Sequence, residues 1–179
     1  MLALVPFVQL LVGALSDGLG ANPAEALTRG TGDWTLRMLC LTLAITPFRQ
    51  WTGWTAVARW RRMLGLFAFF YGLLHFLCYA WLDMGFDASA VLRDIPKRPF
   101  VLVGTLALLL MSPLAATSFN RAIQRLGAAR WRALHRLVYV AAILSVWHYL
   151  WLDRDIITTP LIYAAVIGGL LALRFVPRG

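Results

Sequence analysis

The sequence predicts an all-α membrane protein, a polytopic bundle of about six transmembrane helices that takes up residues 1–179 as a single domain. Three observations carry this expectation. Hydrophobic residues make up 60% of the 179-residue chain and charged residues 14%, more apolar surface than a water-soluble domain of this size can bury. The apolar residues gather into runs near membrane-crossing length. The charges, finally, are sorted between alternate connections. In hydrocarbon every backbone N–H and C=O needs a partner within the protein, so such runs are expected to be helical.

The runs are 1–15, 34–48, 64–82, 100–117, 133–152 and 156–175. The first two are short of the ~20 residues a span needs. Run 1–15 has neither a charged lead-in nor a small-residue cleavage site, so it reads as a span and not as a signal peptide. Either chain upstream or residues 16–19 would complete it. Asp17, Gly18, Gly20, Asn22 and Pro23 make a breaker-rich loop before the second run, which Pro47 is expected to end. The segment Ile95-Pro96-Lys97-Arg98-Pro99 resets the chain before the fourth run, which Pro113 should kink or end. Of the eight tryptophans, Trp34, Trp51, Trp54, Trp60, Trp81, Trp131 and Trp151 fall near run ends, where aromatic rings anchor helices at the headgroups. Trp147, beside His148, is a weaker candidate for lining a cofactor.

All eight acids (Asp17, Glu25, Asp33, Asp83, Asp87, Asp94, Asp153 and Asp155) fall after the first, third and fifth runs. Arg49, Arg59, Arg61 and Arg62 follow the second run, and Arg121, Arg125, Arg130 and Arg132 follow the fourth, with no acid among them. With Arg174 and Arg178 at the end of the chain, the positive-inside rule places both termini in the cytoplasm. The net charge of +9 therefore needs no nucleic acid. A basic face on anionic lipid of the bilayer is the ordinary reading, and a docking surface for an acidic partner is the sharper one. No connection between runs exceeds about seventeen residues, so a soluble redox donor has to be another protein. Cys40 and Cys78 read as free, buried thiols. No Cys-x-x-Cys-His motif occurs, so any haem would be held by ligation alone.

The chain has three histidines, His75, His135 and His148, each inside or at the edge of an apolar run. An ionisable or metal-binding side chain in lipid is unfavourable to bury and points to function. His75 stands thirteen residues beyond Arg62 and His148 sixteen beyond Arg132, depths of about 20 and 24 Å at ~1.5 Å per residue. Both then lie in the outer half of a hydrocarbon layer ~30 Å thick. The third and fifth runs point the same way, so one haem between them can take His75 on one face and His148 on the other. Two imidazoles leave no open position, which suits electron transfer. Gly72, Ala80, Ala141, Ala142 and Ser145 are small enough to let a flat macrocycle between the helices.

His135, only three residues past Arg132, is ~5 Å deep. On an ideal helix it is turned about 140° from His148, so the two share a side only if the helix is distorted. It can serve a second cofactor, a second haem, or a plain helix–helix hydrogen bond worth about 1 kcal/mol.

Several stretches carry a resemblance. They are Gly18-Leu19-Gly20-Ala21-Asn22-Pro23, Gly32-Asp33-Trp34-Thr35-Leu36 with Thr46-Pro47-Phe48-Arg49, and Arg61-Arg62-Met63-Leu64-Gly65-Leu66 with Leu74-His75 and Tyr79. They continue in Leu134-His135-Arg136-Leu137-Val138-Tyr139, His148-Tyr149-Leu150-Trp151 and Pro160-Leu161-Ile162-Tyr163. Together they cover essentially the whole chain, which resembles the ferric-reductase-like transmembrane superfamily and, within it, the haem-binding membrane subunits of bacterial periplasmic methionine sulfoxide reductase systems.

The resemblance implies b-type haem and FMN, a multi-pass place in the inner membrane, and His75, His148 and His135 as the family's histidine positions. It implies electrons drawn from the quinone pool or from a cytoplasmic flavin reductase. They would pass to a periplasmic molybdopterin enzyme that reduces methionine sulfoxide in oxidised proteins, the membrane subunit itself doing no chemistry on the sulfoxide. Relatives with two haems carry two histidines on each of spans three and five. Here span three has one, so an FMN near His135 and the arginine-rich loops would fill the remaining site. Two other readings compete: a transmembrane ferric or other metal reductase, and a cofactor-free transporter or assembly factor. Against the last, the runs show neither internal acid–base pairs nor an inverted repeat.

Overall fold

The fold is taken from a computed structural model that describes residues 2–152 and 158–174. Asp153, Asp155, Phe175 and Arg178, used in the charge and span reading, lie outside the described residues. Every regular element among the described residues is helical: α1 (Val5–Leu15), α2 (Pro23–Thr52), α3 (Ala58–Cys78), α4 (Ala88–Asp94), α5 (Pro99–Ala116), α6 (Asn120–Leu126), α7 (Ala128–His135), α8 (Leu137–Leu152) and α9 (Thr158–Ala172). A short 3-10 turn, Leu2–Leu4, leads into α1, and a π-helical turn, Tyr79–Asp83, extends α3. The described residues of the six apolar runs are almost all helical, the fifth run being divided between α7 and α8. The stretches Thr55–Asp83, Pro99–Ala116 and Ala128–Leu152 are long and apolar enough to cross a membrane, while Leu2–Leu15 and Thr158–Ala172 are shorter apolar helices.

α2 departs most from expectation. It starts at Pro23 because the Asn22 side chain caps it, accepting from the Glu25 N–H at 3.2 Å, with proline at the first helical position. Glu25 and Asp33 are therefore helical and not loop acids. They pair one turn on with Arg29 at 2.8 Å and Arg37 at 3.9 Å, contacts that favour helix where hydropathy alone reads a connection. Trp34 consequently falls mid-helix against Tyr71, with the Arg37 guanidinium over its ring.

Nor does Pro47 end α2, which runs on to Thr52. Proline removes the N–H that the carbonyl four residues back would receive. That carbonyl belongs to Leu43, and it accepts instead from Arg174 Nη2 at 2.9 Å, while Nη1 of the same arginine donates to the Tyr139 hydroxyl at 2.9 Å. Pro113 lies inside the last turn of α5.

Among the described residues, three clusters of buried residues hold the bundle, one of them Tyr79, Ala80, Val91 and Val101 at the α4 end; the other two lie between the long helices. Met38, Leu39, Ala68, Tyr71, Met111 and Ala141 form one; Leu36, Leu43, Ala142, Val146 and Ile167 form the other. Ala68, Ala141 and Ala142 are fully buried, as close helix approach in lipid requires. The buried Tyr71 ties α1 to the bundle, its hydroxyl donating to the Ala3 carbonyl at 2.7 Å and accepting the Phe7 N–H at 3.2 Å.

Candidate cofactor site

The geometry brings His75 and His148 together. Their ring centres are 5.9 Å apart and their planes cross at 77°. Two imidazoles bonded through Nε2 to one metal, at about 2 Å each, hold their ring centres about 6 Å apart.

The same device fixes both rings. His75 Nδ1 lies 2.8 Å from the Thr28 carbonyl of α2, and His148 Nδ1 lies 2.6 Å from the Phe100 carbonyl of α5. A carbonyl only accepts, so each Nδ1 carries the proton and each Nε2 keeps its lone pair for a metal. Four residues beyond each carbonyl stands a glycine, Gly32 on α2 and Gly104 on α5. A helical side chain covers the turn before its own Cα, so a residue there would cover the carbonyl. A Cβ on Gly32 would stand 3.1 Å from His75 Nδ1, and one on Gly104 only 2.8 Å from His148 Nδ1.

The two rings face an open cavity of about 1430 Å³, its solvent mouth included. Its walls are mostly apolar, and Gly72, Gly104 and Ser145 are among the small residues that line it. At the α4 end its rim carries charged and polar groups, among them Arg98, Tyr79 and Asp83. Among the described residues no three His, Cys, Asp or Glu side chains gather around one point. The pair therefore suits a metal that brings its remaining ligands in a flat macrocycle. Of the small residues expected to flank it, Gly72 and Ser145 line the cavity, whereas Ala80, Ala141 and Ala142 are spent on helix packing. Trp147 is turned outward, half exposed and stacked on Trp151.

His135 belongs to a different place. α7 ends at His135 and α8 begins at Leu137, the junction closed by Arg136 N–H to the Ala133 carbonyl at 3.2 Å and Tyr139 N–H to the Arg136 carbonyl at 3.0 Å. The span is distorted at that point, yet His135 faces a second cavity of about 1120 Å³ shared with Arg49, Arg61 and Arg62. Its ring stacks on Trp131 with centres 3.8 Å apart, and Nδ1 meets the Trp131 carbonyl at 3.0 Å. His135 Nε2 is buried with no hydrogen-bond partner among the described residues. Trp131 is held in turn by its indole N–H to the Thr117 carbonyl at 3.0 Å, so it supports His135 and is not a free interfacial anchor. Met111 borders both cavities.

Sequence reasoning missed Thr28, Phe100 and Gly104 altogether, and met Gly32 only as part of a motif. Nothing in the local pattern marks them, because each partner lies on a different helix.

The chain matches the family "Ferric reductase like transmembrane component" over residues 31–146, a stretch that contains His75 and His135 and stops two residues short of His148. Three relatives bear the name protein-methionine-sulfoxide reductase heme-binding subunit MsrQ. The one from Polaromonas naphthalenivorans is 54% identical over 176 residues, 97% of this chain and 80% of the relative. That of Azospira oryzae is 54% identical over 179 residues, 99% and 77%. That of Ralstonia nicotianae is 52% identical over 176 residues, 97% and 81%. No solved structure matches the chain.

Proposed function

The chain belongs to the ferric-reductase-like transmembrane family and, within it, to the MsrQ family, and from that premise we propose that it is a haem-bearing electron-transfer subunit of a methionine sulfoxide reductase system. The observation that carries the reading is the facing pair His75 and His148, each with its Nδ1 proton engaged by a carbonyl, which leaves the lone pair on Nε2. These two residues of α3 and α8 would hold the iron of a b-type haem, which would supply one-electron chemistry. With an imidazole committed from each of the two helices, the site would suit electron transfer more than oxygen binding, and its mostly apolar walls would favour the macrocycle.

The second cavity suits an anionic cofactor. Arg49, Arg61 and Arg62 offer planar, permanently charged donors of the kind that bind phosphate, which fits FMN beside His135. The chain acts as one domain, 1–179, in the inner membrane, with both termini cytoplasmic and the α4 end facing the periplasm. Electrons enter from the quinone pool or a cytoplasmic flavin reductase and leave for MsrP, the periplasmic molybdopterin enzyme that reduces the sulfoxide. The chain itself forms and breaks no bond of that substrate.

Reduced-minus-oxidised spectra of the detergent-purified protein, with haem quantified per chain, test this. Low-spin b-type bands lost in His75→Ala and His148→Ala but kept in His135→Ala are expected. Bands that survive either of the first two changes would break the assignment of the pair. A wild-type protein without haem would return the chain to the cofactor-free reading.

A further inference from the structure

Two side chains that line the histidine cavity, Tyr79 and Arg98, join Asp94 in a cluster that the ligation of a metal does not use. Tyr79 comes from the π-helical turn, Asp94 from the end of α4, and Arg98 from the residue that precedes α5. The Tyr79 hydroxyl donates to Asp94 Oδ2 at 2.7 Å, and Arg98 Nε donates to the same oxygen at 2.7 Å. Arg98 Nη2 joins the ion pair with that carboxylate. The guanidinium carbon also lies 5.5 Å from the centre of the Tyr79 ring and 5.9 Å from that of Phe100.

Arg98 is thus gripped along its Nε–Nη2 edge and lies over aromatic rings, while among the described residues no acceptor takes its Nη1 group. Its side chain keeps about a third of its exposure. Arg98 and Tyr79 line the cavity, and Arg98 stands two residues before Phe100, whose carbonyl holds His148. An arginine held by a carboxylate, lying over a tyrosine ring and lining an apolar cavity, is built to receive a planar anion.

A porphyrin makes that demand. Its ring suits apolar walls, but its carboxylate arms are strongly disfavoured in a low-dielectric interior unless paired or led to water. Arg29 also borders the cavity, already paired with Glu25, whereas Asp33 and Asp83 on the same lining repel an anion. We infer that Arg98, presented by Asp94 and Tyr79, binds a propionate carboxylate of the haem at the α4 end of the cavity. This rests on the haem reading above. It assigns an edge to the macrocycle, carboxylates toward α4, and makes Arg98 a determinant of haem retention and potential.

The test compares haem dissociation into an excess scavenger for purified wild type and Arg98→Gln, each loaded with native haem or with its dimethyl ester, whose carboxylates carry no charge. Native haem should leave Arg98→Gln about tenfold faster or more, the scale of a charge-assisted hydrogen bond, and the ester should leave both proteins alike. Redox titration of the native-haem proteins adds a readout that simple loosening does not move in this way. Removing a cation disfavours the reduced, less positive site, so Arg98→Gln should lower the midpoint potential, and Asp94→Asn should raise it.

Equal acceleration with both haems, or potentials that move the same way in both variants, would overturn the inference. So would unchanged rates and potentials in a protein that binds haem. If Arg98→Gln does not fold, the gap between native and ester haem is measured in wild type and Arg98→Lys. It should shrink in the lysine variant, and no gap in wild type would refute the contact. Wild type without haem, or with bands indifferent to His75 and His148, would instead defeat the parent reading.

Discussion

Gly104 stands four residues beyond Phe100 and directly against the imidazole that the Phe100 carbonyl holds, that of His148. A methyl group there would come within 2.8 Å of Nδ1, closer than side-chain carbons approach other atoms. The ring is trapped between a carbonyl that needs its proton and a backbone that leaves it no spare room.

Gly104→Ala should therefore push His148 off its carbonyl and weaken haem binding. Overpacking of this kind costs about 1–3 kcal/mol, roughly a five- to hundredfold loss in affinity. Gly32→Ala, where the approach to His75 Nδ1 is 3.1 Å, should be milder. Gly168→Ala, with nothing within 4 Å of the added carbon, serves as the control. Haem titration of the three variants checks the order; a loss as large at Gly168 as at Gly104 would defeat it.

Pro47 and Arg174 are coupled through the Leu43 carbonyl. Arg174→Met leaves that carbonyl without a partner, a cost of about 1–3 kcal/mol. In Pro47→Ala the helix regains its own N–H donor, so the arginine is less needed there. A double-mutant cycle read by thermal denaturation in detergent should show the Arg174 change costing less in the Pro47→Ala background. Strict additivity would mean the two residues are independent.

Asp94 lies outside the spans, and hydrogen bonds from Arg98 first and Tyr79 second hold its carboxyl below the usual carboxylate range. A carboxyl whose folded value is depressed stabilises the protein fully above its unfolded value of about 4, and loses that contribution as pH falls through the folded value. Wild type should thus melt above Asp94→Asn at neutral pH, and the gap should close in acid. A gap that persists well below pH 3 would show that charge is not its origin.

Arg49, Arg59, Arg61, Arg62, Arg121, Arg125, Arg130 and Arg132 lie in and beside α6, α7 and the turn between α2 and α3. If a soluble flavin reductase docks on this face, its rate of haem reduction should fall as salt rises, because exposed charges are screened beyond ~10 Å at 0.1 M ionic strength. Stopped-flow reduction at low and high salt measures this, and a flat profile would rule out electrostatic docking there.

The sequence by itself determined the solvent. An apolar fraction of 60% and acid-free basic connections alternating with acid-bearing ones specify a helical membrane bundle, and the described residues of the six apolar runs are almost all helical. It also set His75 and His148 at similar depth, because similar spacing from basic loops sets similar depth in parallel helices; that the two rings meet is a result of packing. Spacing reports distance along an axis and says nothing about what stands beside it.

Only the tertiary structure decided which carbonyls orient the two rings, since those contacts link residues 47 and 48 positions apart. It decided that α2 continues through Pro47, because the missing hydrogen bond is replaced by an arginine 131 residues away. It also set His135 in its own cavity, through a helix break at Arg136 that hydropathy does not register. A hydrogen bond between helices depends on the rotation and separation of two axes, and those are settled by packing across the whole bundle.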